Sequence, residues 1–101
     1  MATVTSKVLV RAAAGTTTAT LYTVPASTTT VVTNIVVTNS AASAATFTLT
    51  LNSVDIFTTA AIAANSTAMF DLKQVMATTQ ILAGFASAIT VKFHISGVEI
   101  V

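Results

Sequence analysis

His94 is the single histidine in this 101-residue chain, and few other residues can carry charge. The cations are Lys7, Arg11, Lys73 and Lys92, and the anions are Asp55, Asp71 and Glu99. Nucleophilic catalysis needs a base held beside the nucleophile. His94 sits mid-strand in Phe93-His94-Ile95, where an exposed or interface strand residue is the simpler reading. Paired carboxylates could do acid–base work, but Asp55, Asp71 and Glu99 fall at no recognisable motif spacing. Asp55 reads as a turn residue and Asp71 as a strand terminator. Metal sites want clustered His, Asp or Cys, and the chain has no cysteine at all. Its three glycines, Gly15, Gly84 and Gly97, are too dispersed to cradle a phosphate. The sequence therefore predicts no catalytic residue, no metal site and no cofactor, and the chain reads as a non-enzyme.

Binding chemistries are narrowed in the same way. A nucleic-acid binder typically neutralises about 6–10 phosphates, so four scattered cations and a net charge of +1 argue against that partner. Carbohydrate modules commonly present aromatic platforms. Here Trp is absent, Tyr22 is the sole tyrosine, and the five phenylalanines fall mostly on inward-facing positions. Thr46, Thr48 and Thr50 form a regular hydroxyl run of the kind that orders water on ice-binding surfaces. No repeat is present to stack it, so an ordinary strand face is the simpler reading.

The elements that would position these residues are strands. Thr, Ala and Val supply 21, 19 and 13 residues, more than half the chain. Threonine is β-branched, which favours extended backbone. Period-2 alternation recurs throughout, and no helical stripe lasts beyond two turns. It predicts strands over Thr5–Arg11, Thr18–Val24, Thr29–Asn39, Thr46–Leu51, Val54–Thr59, Ser66–Leu72, Gln80–Ala86 and Ile89–Val98. Asn52-Ser53 reads as the tight turn of a β-hairpin. Ser40–Ala45 reads as a loop, and Leu72–Ala77 as a loop or a single turn. Apolar residues on both faces of Thr29–Asn39 predict a strand covered on both sides. Residues 1–14 are expected to form an N-terminal arm or edge strand, and residues 15–101 a single domain. The expected fold is all-β: an antiparallel β-sandwich, jelly-roll-like, of about eight short strands.

Only 7% of the residues are charged, against roughly 25% in a typical domain. Such a surface loses little hydration on contact, which points to a buried surface between subunits. No apolar run approaches the roughly 20 residues of a membrane-spanning helix, so no membrane is expected. Met1–Val10 has no signal-peptide pattern. The candidate interface residues are Lys7, Leu9, Arg11, Tyr22, Lys92 and His94. Lys7, Leu9 and Arg11 share one face of the first strand in strict alternation. Lys92 and His94 face away from the inward stripe of the last.

Five segments resemble a group of small tailed-bacteriophage virion proteins. They are Leu21-Tyr22-Thr23-Val24-Pro25, Val32-Thr33-Asn34-Ile35-Val36-Val37-Thr38-Asn39, Thr48-Leu49-Thr50-Leu51-Asn52, Ile62-Ala63-Ala64-Asn65-Ser66-Thr67 and Phe93-His94-Ile95-Ser96-Gly97-Val98-Glu99. In order they span about residues 17 to 99. The resemblance implies a β-sandwich or jelly-roll module on the virion. It implies head decoration (cement), in which a homotrimer binds the major capsid protein on the outer shell. The alternative it carries is a tail or head-fibre adsorption module that binds a host surface glycan or protein. Because the last strand runs almost to Val101, a compact decoration module is the favoured expectation.

Overall fold

The computed structural model describes residues 3–101. It contains eight strands: β1 (Val4–Ala13), β2 (Ala19–Thr23), β3 (Thr29–Asn39), β4 (Ala45–Leu51), β5 (Val54–Ile62), β6 (Ser66–Met76), β7 (Ile81–Ala86) and β8 (Val91–Ile100). They form two antiparallel four-stranded sheets, ordered β1-β8-β3-β6 and β2-β7-β4-β5. Apart from the β4–β5 hairpin, each connection crosses from one sheet to the other. This interleaving is the double Greek key of an eight-stranded jelly roll.

The core lies between the sheets and follows the alternation. Phe47 and Leu49 of β4, Leu82 of β7, Val32, Ile35 and Val37 of β3, and Val91, Phe93 and Ile95 of β8 are fully buried. Phe47 stacks tilted or edge-on with Phe57, Phe70 and Phe93 at centroid distances of 5.5, 6.4 and 6.1 Å. Phe57 of β5 and Phe70 of β6 approach to 4.6 Å and close one long side of the sandwich. Each such pair adds about 0.5–1.5 kcal/mol beyond area burial.

Bulges explain where strict alternation fails. Between Val8 and Val10 the β1–β8 register slips, so Leu9 and Val10 both turn inward and are buried. Leu9 therefore belongs to the core, and Arg11 emerges on the face opposite to Lys7. A second slip, between Val32 and Asn34 of β3, sits at the same level of the sheet. It lets Val32, Ile35 and Val37 all point inward, although their spacing mixes odd and even steps. The apolar pattern of β3 thus reflects a bulge, and Val31 and Val36 on its outer face stay half-exposed. Both slips lie opposite the Ile95–Gly97 stretch of β8. A Cβ on Gly97 would collide with the Val31 carbonyl oxygen, so the close approach there requires glycine.

Several boundaries differ from expectation, and β5 runs on to Ile62 and β8 to Ile100. β6 continues to Met76, because its own bulge around Leu72-Lys73 matches that of β3 and returns Met76 to the core. Asp71 consequently lies mid-strand and terminates nothing. Residues 40–44 form the expected loop, but Ala45 already pairs with Ile62. Ile89 lies in the β7–β8 turn and is 69% exposed, outside the inward stripe of β8. The Asn52-Ser53 turn has φ of 50° and 67°, the double positive φ of a type I′ hairpin.

Candidate interaction surface

Two clusters gather the chemistry-bearing residues. The first closes the β1/β2 side of the sandwich, opposite the phenylalanines. Register puts Lys7 of β1 across from Gly97, and Thr30 of β3 across from Glu99 of β8, all on the inner face. From the other sheet Tyr22 reaches in, and its hydroxyl donates to Glu99 Oε2. With that proton committed, Thr30 Oγ1 donates to the phenol oxygen at 2.8 Å. Lys7 Nζ donates to Glu99 Oε1 at 3.3 Å, the Glu99 side chain being only 12% exposed. The Tyr22 hydrogen bond, aided by Lys7, holds the Glu99 carboxyl below its ordinary range despite partial desolvation. Burial first, then the hydrogen bond to Glu99, pushes the Tyr22 phenol above 10. The result is a neutral phenol clamped to a carboxylate across two sheets. It acts as a polar fastener and has no free nucleophile.

The second cluster is the outer face of sheet β1-β8-β3-β6. Cross-strand partners share a face, so the registers define its rows. One row reads Arg11, His94, Val36 and Met69, and the next reads Val8, Ser96, Asn34 and Asp71. Beyond them come Ser6, Val98, Val31 and Val75. On the other side of the Arg11 row stand Ala13, Lys92, Thr38 and Thr67. Val8, Met69 and Val75 are 46, 74 and 68% exposed, an unusual load of apolar surface for one sheet face. Lys92 Nζ donates to Ser40 Oγ at 3.2 Å, and Asn34 Nδ2 donates to Asp71 Oδ1 at 3.3 Å. An open groove of about 420 Å³ lies beside these register slips, lined by Ser6, Val8, Thr33, Ser96 and Val98 among others.

Of the six candidate residues, Arg11, Lys92 and His94 come together on this outer face. Lys7 and Tyr22 meet instead at Glu99, and Leu9 is in the core. The sequence reading missed Glu99 and Thr30, whose roles depend on which residues face each other across the sandwich. It also missed Asn39, buried where the loops of one end converge. Its Nδ2 donates to the carbonyls of Ser43 and Ala63, and its Oδ1 accepts from the Ala41 amide and the Thr90 hydroxyl. All four hydrogen-bonding positions of the amide are filled. The Thr46/Thr48/Thr50 run does point away from the core, but Thr48 is itself buried and accepts from the Thr59 amide. Among the described residues no three of His, Asp, Glu or Cys gather to hold a metal. Among the same residues no helix is long and apolar enough to cross a membrane.

No family model matches the chain, and no curated protein matches it. Two solved structures are similar in architecture. A chain in the structure of the infectious bursal disease virus Gx strain aligns with 98% of this chain at 14% identity and a TM-score of 0.47. This chain covers 31% of that one's length. CBM35 from Paenibacillus barcinonensis aligns over 99% of this chain and 91% of its own, at 11% identity and a TM-score of 0.40.

Proposed function

We propose that this chain is a structural protein of a bacteriophage virion, a decoration protein that binds the assembled major capsid protein as a homotrimer and stabilises the shell. The observation that carries the reading is the outer face of sheet β1-β8-β3-β6. It is broad and presents exposed valine and methionine side chains, Val8, Met69 and Val75. Contiguous exposed apolar side chains on one face mark an interaction site. The resemblance of five segments to small phage virion proteins supplies the partner. Low charge fits a role in which most of the surface is dehydrated on binding.

The mechanism is mass action. A protein that binds the assembled, expanded shell and not its separated subunits shifts the equilibrium toward the shell. Many weak contacts repeated over the capsid add through multivalency. The test is co-sedimentation of the purified chain with expanded capsids that lack it, followed by heating. Stoichiometric capture and a raised temperature of shell disruption are expected. Absence of capture, together with binding on a glycan array, would replace decoration with adsorption to a host surface.

A further inference from the structure

Asparagine precedes serine three times in this chain, at Asn39-Ser40, Asn52-Ser53 and Asn65-Ser66. Such a pair can react with itself. The serine amide nitrogen attacks the asparagine Cγ, its proton leaves with the side-chain nitrogen as ammonia, and a cyclic imide forms. Water then opens the ring at either carbonyl. One route leaves aspartate, the other isoaspartate, in which the main chain runs through Cγ. The sum is one water taken up and one ammonia released, with no oxidant or reductant. An intramolecular nucleophile gains greatly from proximity, provided that it can reach the carbon it attacks. The three dipeptides are chemically alike, so the fold decides which of them reacts.

Two of the three are restrained. Asn39 is buried with its side-chain amide fully hydrogen-bonded, and the Ser40 N–H donates to the Thr90 carbonyl at 3.2 Å. Asn65 is exposed, but its own N–H is tied to the Ala41 carbonyl, and Ser66 is already the first residue of β6, paired with Asn39. Asn52 differs on each count. It is exposed at the tip of the β4–β5 hairpin, and among the described residues neither its side-chain amide nor the Ser53 N–H has a hydrogen-bond partner. The attack requires rotation about the Asn52 Cα–C bond, and little packing resists it. Val54 is 70% exposed, and the β4–β5 register is broken twice just behind the turn. We propose that Asn52-Ser53 is a site of spontaneous modification, at which Asn52 converts to isoaspartate and aspartate in the folded protein. Conversion adds a carboxylate to a cleft that already holds Asp55 and is otherwise lined by neutral side chains, Gln74 and Gln80 among them. It also removes the net charge of +1. Isoaspartate inserts a carbon into the main chain of a two-residue turn, whose type I′ geometry fixes the strand register. The protein thus ages into acidic forms with a loosened β4–β5 end, whatever it binds.

The test is incubation of the full folded chain at mildly alkaline pH, followed by isoelectric focusing and peptide mapping that separates isoaspartate from aspartate. A growing acidic band is expected, converted at position 52 and with isoaspartate among its products. Asn39 reacts only through opened molecules, a fraction of about 10⁻³ or less, so it is expected to stay intact over the same period, with Asn65 slower than Asn52. In denaturant the three sites are expected to convert at similar rates. Ser53→Gly keeps the turn, since glycine adopts the positive φ of this position without strain. It also clears the approach of the attacking nitrogen, and is expected to speed the conversion. Asn52→Gly suits the same turn and is expected to abolish the acidic band. A folded chain in which Asn39 or Asn65 converts ahead of Asn52 overturns the proposal. So does one in which all three stay intact while the denatured chain reacts. Conversion of Asn52 to aspartate alone, at a rate that S53G leaves unchanged, also overturns it, because direct hydrolysis would then replace attack by the Ser53 nitrogen. All of these measurements use the isolated chain, so their failure is separate from a failure to bind capsids.

Discussion

Tyr22 and Glu99 show how one hydrogen bond serves two sheets. The phenol comes from β2 and the carboxylate from β8, so the contact joins the layers on the side the phenylalanines do not reach. Removing the hydroxyl in Tyr22→Phe leaves a largely enclosed carboxylate short of a donor. A hydrogen bond to a charged group contributes about 1.5–3 kcal/mol, and Y22F is expected to lose an amount of that order in denaturant unfolding. Lys7 is 46% exposed at its side chain, so Lys7→Met should cost less than about 1 kcal/mol. The pH dependence follows from the same contacts. Glu99 titrates below its ordinary 4.5 in the folded chain. Its contribution is therefore present above that pH and is lost as pH falls through the lower folded value. Tyr22 is raised above 10, so its contribution is present at neutral pH and is lost only as pH climbs through the raised value. Thermal unfolding of Glu99→Gln should consequently vary less between neutral pH and pH below 4.5 than that of the wild type. Equal acid losses in both proteins would assign the acid sensitivity to other groups.

Strand count, hairpin and inward stripes were legible at the level of elements because period-2 alternation and turn chemistry are local properties. Phe47, Leu49, Phe93 and Ile95 are where alternation puts them. The bulges were not legible, since an extra residue leaves no mark in composition. Leu9 reads as surface and Val10 as core under strict alternation, yet a single unpaired step buries both. Asp71 reads as a terminator for the same reason: nothing local announces that β6 resumes its pairing after Leu72-Lys73. The candidate interface residues divide accordingly. Lys92 and His94 were placed by a regular strand, whereas Lys7, Leu9 and Arg11 straddle a bulge and end in three different environments. Another element feature yields a prediction. Thr59, at a register break in β5, has φ of 45°, and Thr79, in the β6–β7 turn, has φ of 69°. A β-branched residue in this region is strained, by about 1–2 kcal/mol. Glycine relieves that strain but loses about 0.5–1 kcal/mol of chain entropy. Thr79→Gly should be neutral or stabilising by up to about 1 kcal/mol, measured by urea midpoint at unchanged slope. Gly97→Ala should be strongly destabilising in the same assay, because the Val31 carbonyl must move.

On the scale of the whole molecule, sparse charge decides what kind of contact the proposed capsid binding can be. A net charge of +1 and 7% charged residues give little long-range repulsion or steering. Under that proposal, binding through the β1-β8-β3-β6 face draws mainly on apolar burial. Charge attraction and apolar burial respond differently to salt. At about 1 M salt the Debye length is about 3 Å, and an exposed ion pair is largely screened. Apolar burial is not weakened by added salt. Capture of the chain by expanded capsids should therefore be the same in about 0.15 M and about 1 M sodium chloride, measured by co-sedimentation. Capture that is lost as salt rises would mean that attraction between charges, and not the valine and methionine surface, holds the chain to the shell.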